Sequence, residues 1–457
     1  MMLRLGEVPT LVVSSAEAAQ AVLKTHDTSF ADRFANATLA SITYDKTDLT
    51  FGPYGERWRQ LRKICVVELL SAARVHSFRS IREEEVARLM DSLGAASAAV
   101  DMSDAIKRFI NDAFVRACVG SRCKYQADYL QAFEDSVRLS SGLTVADLFP
   151  SSRIMQMLGT APRKALACRE KMQRIFEEII QEKMEAMDRG DKAAGEGFVG
   201  VLLTLQKQGG APVELTNDTI ASLLFDMFGA GSDTASNVMI WCMTELIRSP
   251  AVMAKVQAEV REAFKGKNRI TEDDLSKVDL SYLKLVIKET LRLHVHLPFL
   301  FPRQCRETCQ VMGYDIPKGT AVLVNVWAIC RDPKYWEDGD EFKPERFENS
   351  DLDYRGTNYE YLPFGSGRRM CPGVNLGLAN INLALVSLLY HFDWKLPHGM
   401  EPKDVDICEA VGLMATKKTS LILHPVTRIA LANGEQTQRM VSQSMAWHHQ
   451  WKHKALA

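Results

Sequence analysis

No sign of charge dominates this sequence: 56 Lys and Arg stand against 57 Asp and Glu in 457 residues, a formal net charge of −1. That balance creates no long-range field for a polyanion such as nucleic acid, and it excludes a chain kept disordered by self-repulsion. Cysteine pairs at zinc spacing are missing as well. The ten cysteines are scattered from Cys65 to Cys408, and the two nearest neighbours, Cys305 and Cys309, form a C-x3-C. Dispersed thiols suit a reducing compartment better than a disulfide framework. The first residues, Met1 to Glu7, contain no apolar stretch of a targeting signal, and Leu11-Val12-Val13 is too short to span a bilayer. There is no internal repeat and no Gly-rich dinucleotide or flavin motif. One long stretch, 372–392, lacks Asp, Glu, Lys and Arg, but Asn375, Asn380 and Asn382 make it a buried core helix rather than a span.

What is present is the composition of an ordinary globular protein, 46% hydrophobic and 25% charged. At about 150 residues per domain the length alone admits three domains. The patterning suggests one. Residues 3–13 alternate as a strand pair turning at Glu7-Val8-Pro9, Ser15 caps a helix to about 24, and 26–53 reads as a loop. Helical patterns follow at 56–69, 73–93, 103–119, 126–141, 164–187 and 198–207, with a polar, glycine-rich connection at 188–197. A pattern of about 32 residues then runs from a cap at Thr216 or Asn217 to a stop at Ser249-Pro250. Its apolar surface is broad enough for a helix buried through the middle of the molecule. Helices at 250–264, 281–293 and 375–391, strand-like runs at 300–305, 309–312 and 321–325, an irregular 340–370 and short strands to 424 complete the chain. Many helices with a few short strands predict a mainly α single domain with small β-sheets.

Four short motifs carry chemistry. In Pro363-Phe364-Gly365-Ser366-Gly367-Arg368-Arg369-Met370-Cys371-Pro372-Gly373 the glycines permit a sharp turn and a close approach at Gly373. Free N–H groups and the start of the next helix favour a thiolate at Cys371, which is a metal ligand. A buried cysteine in a glycine-rich turn is the other reading. The mid-helix pentad Ala230-Gly231-Ser232-Asp233-Thr234 places polar groups where they are costly unless used. Gly231 leaves room beside the helix, and Asp233 with Thr234 can relay protons through water; a bent helix with an internally bonded threonine is the alternative. Glu289 and Arg292 form an i,i+3 pair, commonly a solvated one. Trp58 and Arg62 share a helix face.

The cysteine run resembles F-x-x-G-x-R-x-C-x-G, the heme-ligand loop of the cytochrome P450 family, with the proline after the cysteine common in plant microsomal members. The resemblance implies heme b with Cys371 as axial ligand and Phe364 on the sulfur side. The pentad resembles the family's oxygen-activation motif, with a groove for O2 at Gly231. Glu289 and Arg292 resemble its E-x-x-R, and Pro344-Glu345-Arg346-Phe347 supplies Arg346 as third member in support of the heme loop. Trp58 and Arg62 match W-x-x-x-R, which implies contact with the heme propionates, as do the positions of Arg303 and Arg369. Two departures stand out. Ala235 follows the threonine where many members have Thr or Ser, and His294-Val295-His296 replaces His-Pro-Pro, relaxing a segment that shapes the pocket wall.

The implied protein is a heme–thiolate monooxygenase with the P450 fold over 1–426, lacking the family's N-terminal anchor and first helix, followed by an atypical, disordered tail at 427–457. It inserts one atom of O2 into a small apolar metabolite (terpenoid, aromatic or fatty), with electrons from NADPH through a separate cytochrome P450 reductase docked near Arg57, Arg59 and Lys63. Its place is the cytosolic face of the endoplasmic reticulum membrane. Pocket walls are expected from 36–51, Ala230, 295–300 and Gly412-Leu413. An O2-independent heme isomerase or dehydratase would have no use for Asp233 and Thr234. A catalytically impaired relic or splice product would suit the unusual ends.

Overall fold

Residues 1–43, 47–140, 144–210, 213–410 and 412–429 are described by a computed structural model; 44–46 of the expected pocket loop and 430–457 of the expected tail lie outside them. The largest sheet joins the N-terminal strands to strands beyond residue 300. Its order is Met2–Leu5, Val8–Val13, Ala321–Val324, Arg303–Gln304, Asp32–Arg33, with Val8–Val13 parallel to Ala321–Val324 and the other pairs antiparallel. This pairing carries residues from the first loop against a segment nearly 300 positions later.

The central helix, Asn217–Arg248, begins where the Thr216 hydroxyl accepts from the Thr219 amide and ends at Ser249, before Pro250. It packs against helices Met102–Val119, Ser281–Leu293 and Val374–His391. Two apolar cores meet on it. Residues 220–228 belong to one, with Phe114, Phe176 and Phe198, and 235–247 to the other, with Val286, Leu385 and Leu389. Between them, 229–234 belong to neither, and Ala230 is exposed in the middle of an otherwise buried helix. The site forms at that break.

Val374–His391 is the one helix among the described residues long and apolar enough to cross a membrane, and 67% of it is buried inside the protein, as a core helix should be. Elsewhere the structure refines the sequence reading. The 26–53 segment contains a helix, Ala37–Ile42, started by the Asn36 side chain accepting from the Leu39 amide at 2.8 Å. Its apolar residues are too few for a period, so only the cap announces it. The 73–93 pattern is two helices, Ala72–Ser77 and Arg79–Gly94, broken at Phe78.

Candidate active site

The cysteine loop is a run of tight turns. Gly365 and Gly367 take left-handed φ of 70° and 69°, and a Cβ on Gly367 would stand 2.5 Å from the Leu23 carbonyl oxygen. The Cys371 amide donates to the Phe364 carbonyl at 3.0 Å, closing the loop, and the Phe364 ring meets Tyr354 edge-on at 5.7 Å. Gly373 adopts no such φ (−91°); it starts helix Val374–His391, and its amide hydrogen-bonds the Cys371 sulfur. Burial pushes the Cys371 thiol up, while the Gly373 N–H and Arg62 pull it down. Yet Cys371 keeps exposed surface. Ala230, on the central helix, keeps exposed surface too.

Near Cys371 four arginines converge. Arg33 and Arg303 are directly opposed on adjacent antiparallel strands, an arrangement that is destabilising for like charges without a counterion. Burial and then the Arg303, Arg369 and Arg62 charges push Arg33 well below the ordinary arginine value, with Asp48 opposing. Arg369 is lowered to about 10 by burial and by Arg303. The donors are not equally free. Arg369 gives its guanidinium to the carbonyls of Ala31, Leu49 and Gly52 and stacks 4.2 Å over Trp58, whose indole N–H donates to Leu49 at 2.9 Å. Both therefore brace the 48–52 turn. Arg62 reaches the Met370 carbonyl, and Arg303 touches Asp27, Phe30 and Ser366 while its Nε is buried without a partner. An excess of buried guanidinium groups, an orphaned N–H and a sulfur with exposed surface fit a flat dianion with a metal at its centre, which is what heme is.

The E-x-x-R pair is not on a solvated surface. Glu289 and Arg292 are fully buried, with Arg292 Nε and Nη2 donating to the two carboxylate oxygens at 2.7 and 2.9 Å. Arg346 Nε and the Lys343 amide donate to the same carboxylate at 2.9 and 2.8 Å. The remaining guanidinium donors hold the carbonyls of Cys330, Gly339 and Glu341. The structure thus assembles Glu289, Arg292 and Arg346 into one knot around the irregular 330–346 segment.

On the central helix the pentad divides its tasks. A Cβ on Gly231 would stand 2.1 Å from the Phe114 ring, so Gly231 serves close packing on helix Met102–Val119. The room expected there is taken, and the free surface belongs to Ala230 instead. The Thr234 hydroxyl donates to the Ala230 carbonyl at 2.7 Å, which leaves its oxygen lone pairs able to accept. Burial pushes the Asp233 carboxyl up, helped by Glu134 and opposed by Lys107.

Several residues escaped the sequence reading. Arg33 has no motif around it; only its strand partner reveals it. Asp226, two turns before Thr234, accepts from the Leu49 amide at 2.6 Å and from the Thr50 amide and hydroxyl, tying the central helix to the 48–52 turn. Asp48 lies beside it with one oxygen buried and unpartnered. Burial and then Asp48 push Asp226 well up. An aspartate inside an apolar helix was the available signal. His294, of the altered His-Val-His, stacks flat on Trp241 with ring centres 3.9 Å apart and meets Glu245 at 2.8 Å.

Comparison with known proteins agrees with this geometry. The sequence model described as "Cytochrome P450" matches residues 1–423. Zealexin A1 synthase of Zea mays is 66% identical over 436 residues, covering 95% of this chain and 86% of the maize protein. Ent-cassadiene hydroxylase of Oryza sativa is 55% identical, covering 95% and 86%, and premnaspirodiene oxygenase of Hyoscyamus muticus is 48% identical, covering 93% and 85%. A zebra fish cytochrome P450 structure superposes with a TM-score of 0.78 over 94% of this chain and 95% of its own, at 24% identity, a likeness of fold. The chain belongs to the cytochrome P450 family of heme–thiolate monooxygenases.

Proposed function

We propose that this protein is a plant monooxygenase of terpenoid hydrocarbons, working with heme held by Cys371 and with electrons from NADPH through a separate reductase. The observation that carries the site is the conjunction of the exposed Cys371 sulfur with the Arg33–Arg62–Arg303 cluster. The terpenoid class comes from the relatives, which are named for dolabradiene, ent-cassadiene, ent-isokaurene and premnaspirodiene.

When bound, the heme supplies reductive activation of O2. The chain's own residues supply the rest. Cys371 gives its thiolate, stabilised by the Gly373 N–H and Arg62 against burial. Arg33, Arg62 and Arg303 take the propionates, and Arg369 with Trp58 holds the turn behind them. Asp233, held toward its protonated form, delivers protons into the break at 229–234, and the Thr234 oxygen accepts on the way. Ala230 and the 295–300 segment offer an apolar wall to substrate. Glu289, Arg292 and Arg346 keep the loop carrying Cys371 in place. The exposed Arg57, Arg59 and Lys63 lie on the helix that carries Arg62 and suit an acidic reductase surface. A place on the cytosolic face of the endoplasmic reticulum accords with that partner.

Reconstitution with NADPH, a P450 reductase and a panel of terpene dienes under 18O2 tests this. The expected product gains one labelled oxygen. An isomerised or dehydrated product without label would support the O2-independent reading.

A further inference from the structure

The His-Val-His departure has a structural counterpart on the pocket side. The Asn237 Nδ2 donates to the Ala415 carbonyl at 2.8 Å and stands 2.9 Å from His296 Nδ1, and the Ala415 amide donates to the His296 carbonyl at 2.9 Å. Because the Ala415 oxygen only accepts, the Asn237 atom facing it is the nitrogen. Its second N–H then points at His296 Nδ1, which must accept, so the ring is neutral with its proton on Nε2. Nε2 is buried and has no partner among the described residues, consistent with a ring that stays uncharged; burial lowers its pKa to about 4. Asn237 lies one turn beyond Asp233 and three residues beyond Thr234, on the same face of the central helix. Three separate walls of the expected pocket, the central helix, the 295–300 segment and the 412–415 turn, are therefore joined by one closed set of hydrogen bonds. A relative with proline at these positions stiffens the 295–300 backbone by itself; this chain uses a cross-link.

We infer that Asn237 and His296 are specificity-determining positioning residues, whose clasp with Ala415 sets the spacing of the three pocket walls and so selects which terpenoid is held and where it is oxidised. The inference rests on the monooxygenase reading above. Neither side chain needs to touch substrate; they fix the segments that do. Width is the operative variable, because one methylene of misfit in an apolar pocket changes selectivity by about 10- to 200-fold.

The test uses the heme-loaded full chain with Asn237→Leu, which keeps the shape and removes both donors, His296→Pro, which stiffens the segment without the clasp, and His296→Asn, whose side-chain oxygen can replace Nδ1. Three readouts are taken: the reduced carbon monoxide spectrum, hydrogen exchange at the Ala415 amide, and the ratio of dissociation constants for ent-cassadiene and premnaspirodiene from substrate-induced Soret shifts. The expected result is a wild-type spectrum in all variants, at least tenfold faster Ala415 exchange in Asn237→Leu, a dissociation-constant ratio changed at least threefold in Asn237→Leu and His296→Pro, and recovery of both in His296→Asn. An unchanged ratio, with or without faster exchange, overturns the inference, and so does loss of the ratio in His296→Asn together with intact exchange. If Asn237→Leu takes up no heme, His296→Pro decides. A wild-type chain lacking the thiolate band overturns the heme reading itself, which separates that failure from failure of the clasp.

Discussion

Glu289 and Asp226 are both carboxyl groups buried in helices, and the molecule treats them in opposite ways. Glu289 sits between two arginines, with Lys343's amide adding a third donor. Among the described residues Asp226 has no cation against it; it takes donors from Leu49 and Thr50 and shares its dry surroundings with Asp48. The first arrangement keeps a charge in place by surrounding it with opposite charge. The second pins a turn with a carboxyl group pushed toward its neutral form. Fixed charge knots the 330–346 segment, while contacts that use no cation join the central helix to the 48–52 turn, as the Asn237–His296 clasp joins it to the 295–300 segment.

Substitutions separate the two cases. Glu289→Ala or Arg292→Ala leaves a buried charge without its partner and should destabilise the fold by about 3–5 kcal/mol, with loss of heme uptake; urea unfolding of the apoprotein and Soret absorbance read both effects. Glu289→Gln should be nearly as severe. Asp226→Asn should be milder, since its amide oxygen keeps accepting from Thr50 and only the Leu49 N–H loses its acceptor, whereas Asp226→Ala should cost about 1–3 kcal/mol from the unmet Leu49 and Thr50 donors. Equal damage from Glu289→Gln and Asp226→Asn would break the comparison.

The pH dependence sharpens it. A raised Asp226 means that the folded chain keeps a proton the unfolded chain has released, so this contribution is full below the ordinary 3.8 and is lost as pH rises through the folded value. His296 has the reverse sign. Held at about 4 against an ordinary 6.5, it costs stability as pH falls from 6.5 through 4, because the unfolded chain then binds the proton first. Urea titrations across pH should show Asp226→Asn flattening the decline above 3.8 and His296→Asn flattening the loss between 6.5 and 4. The smallest effect is expected at the surface: Arg59→Ala breaks only the exposed pair with Glu56 and should leave the unfolding midpoint unchanged. A slower reductase-supported turnover in that variant, with normal heme, would place Arg59 at the docking face.

Features held within a few consecutive residues were far more legible in sequence than those that folding brings together, and the reason is physical. Cys371, Phe364 and the loop glycines act within eleven consecutive residues, so their turn chemistry is local. Glu289 with Arg292 is one helical turn, and the central helix announces itself by its breadth of apolar surface and its caps. Arg33 beside Arg303, Leu49 beside Asp226 and His296 beside Asn237 are each brought together by tertiary folding across 59 to 270 positions. No local period records such pairs. Gly231 was misjudged for the same reason: an absent side chain signals space, but only the position of Phe114 tells what fills it. The missing prolines at 295 and 296 were visible as a departure, while the cross-link that stands in their place was not.

The central claim is that a thiolate at Cys371 and the facing arginines hold one heme, and the reduced carbon monoxide difference spectrum of the heme-loaded chain tests it most directly. The account predicts a red-shifted thiolate-type band in the wild type, its loss in Cys371→Ala, and a band of normal position but reduced heme content in Arg303→Ala. A thiolate-type band that survives in Cys371→Ala would contradict it.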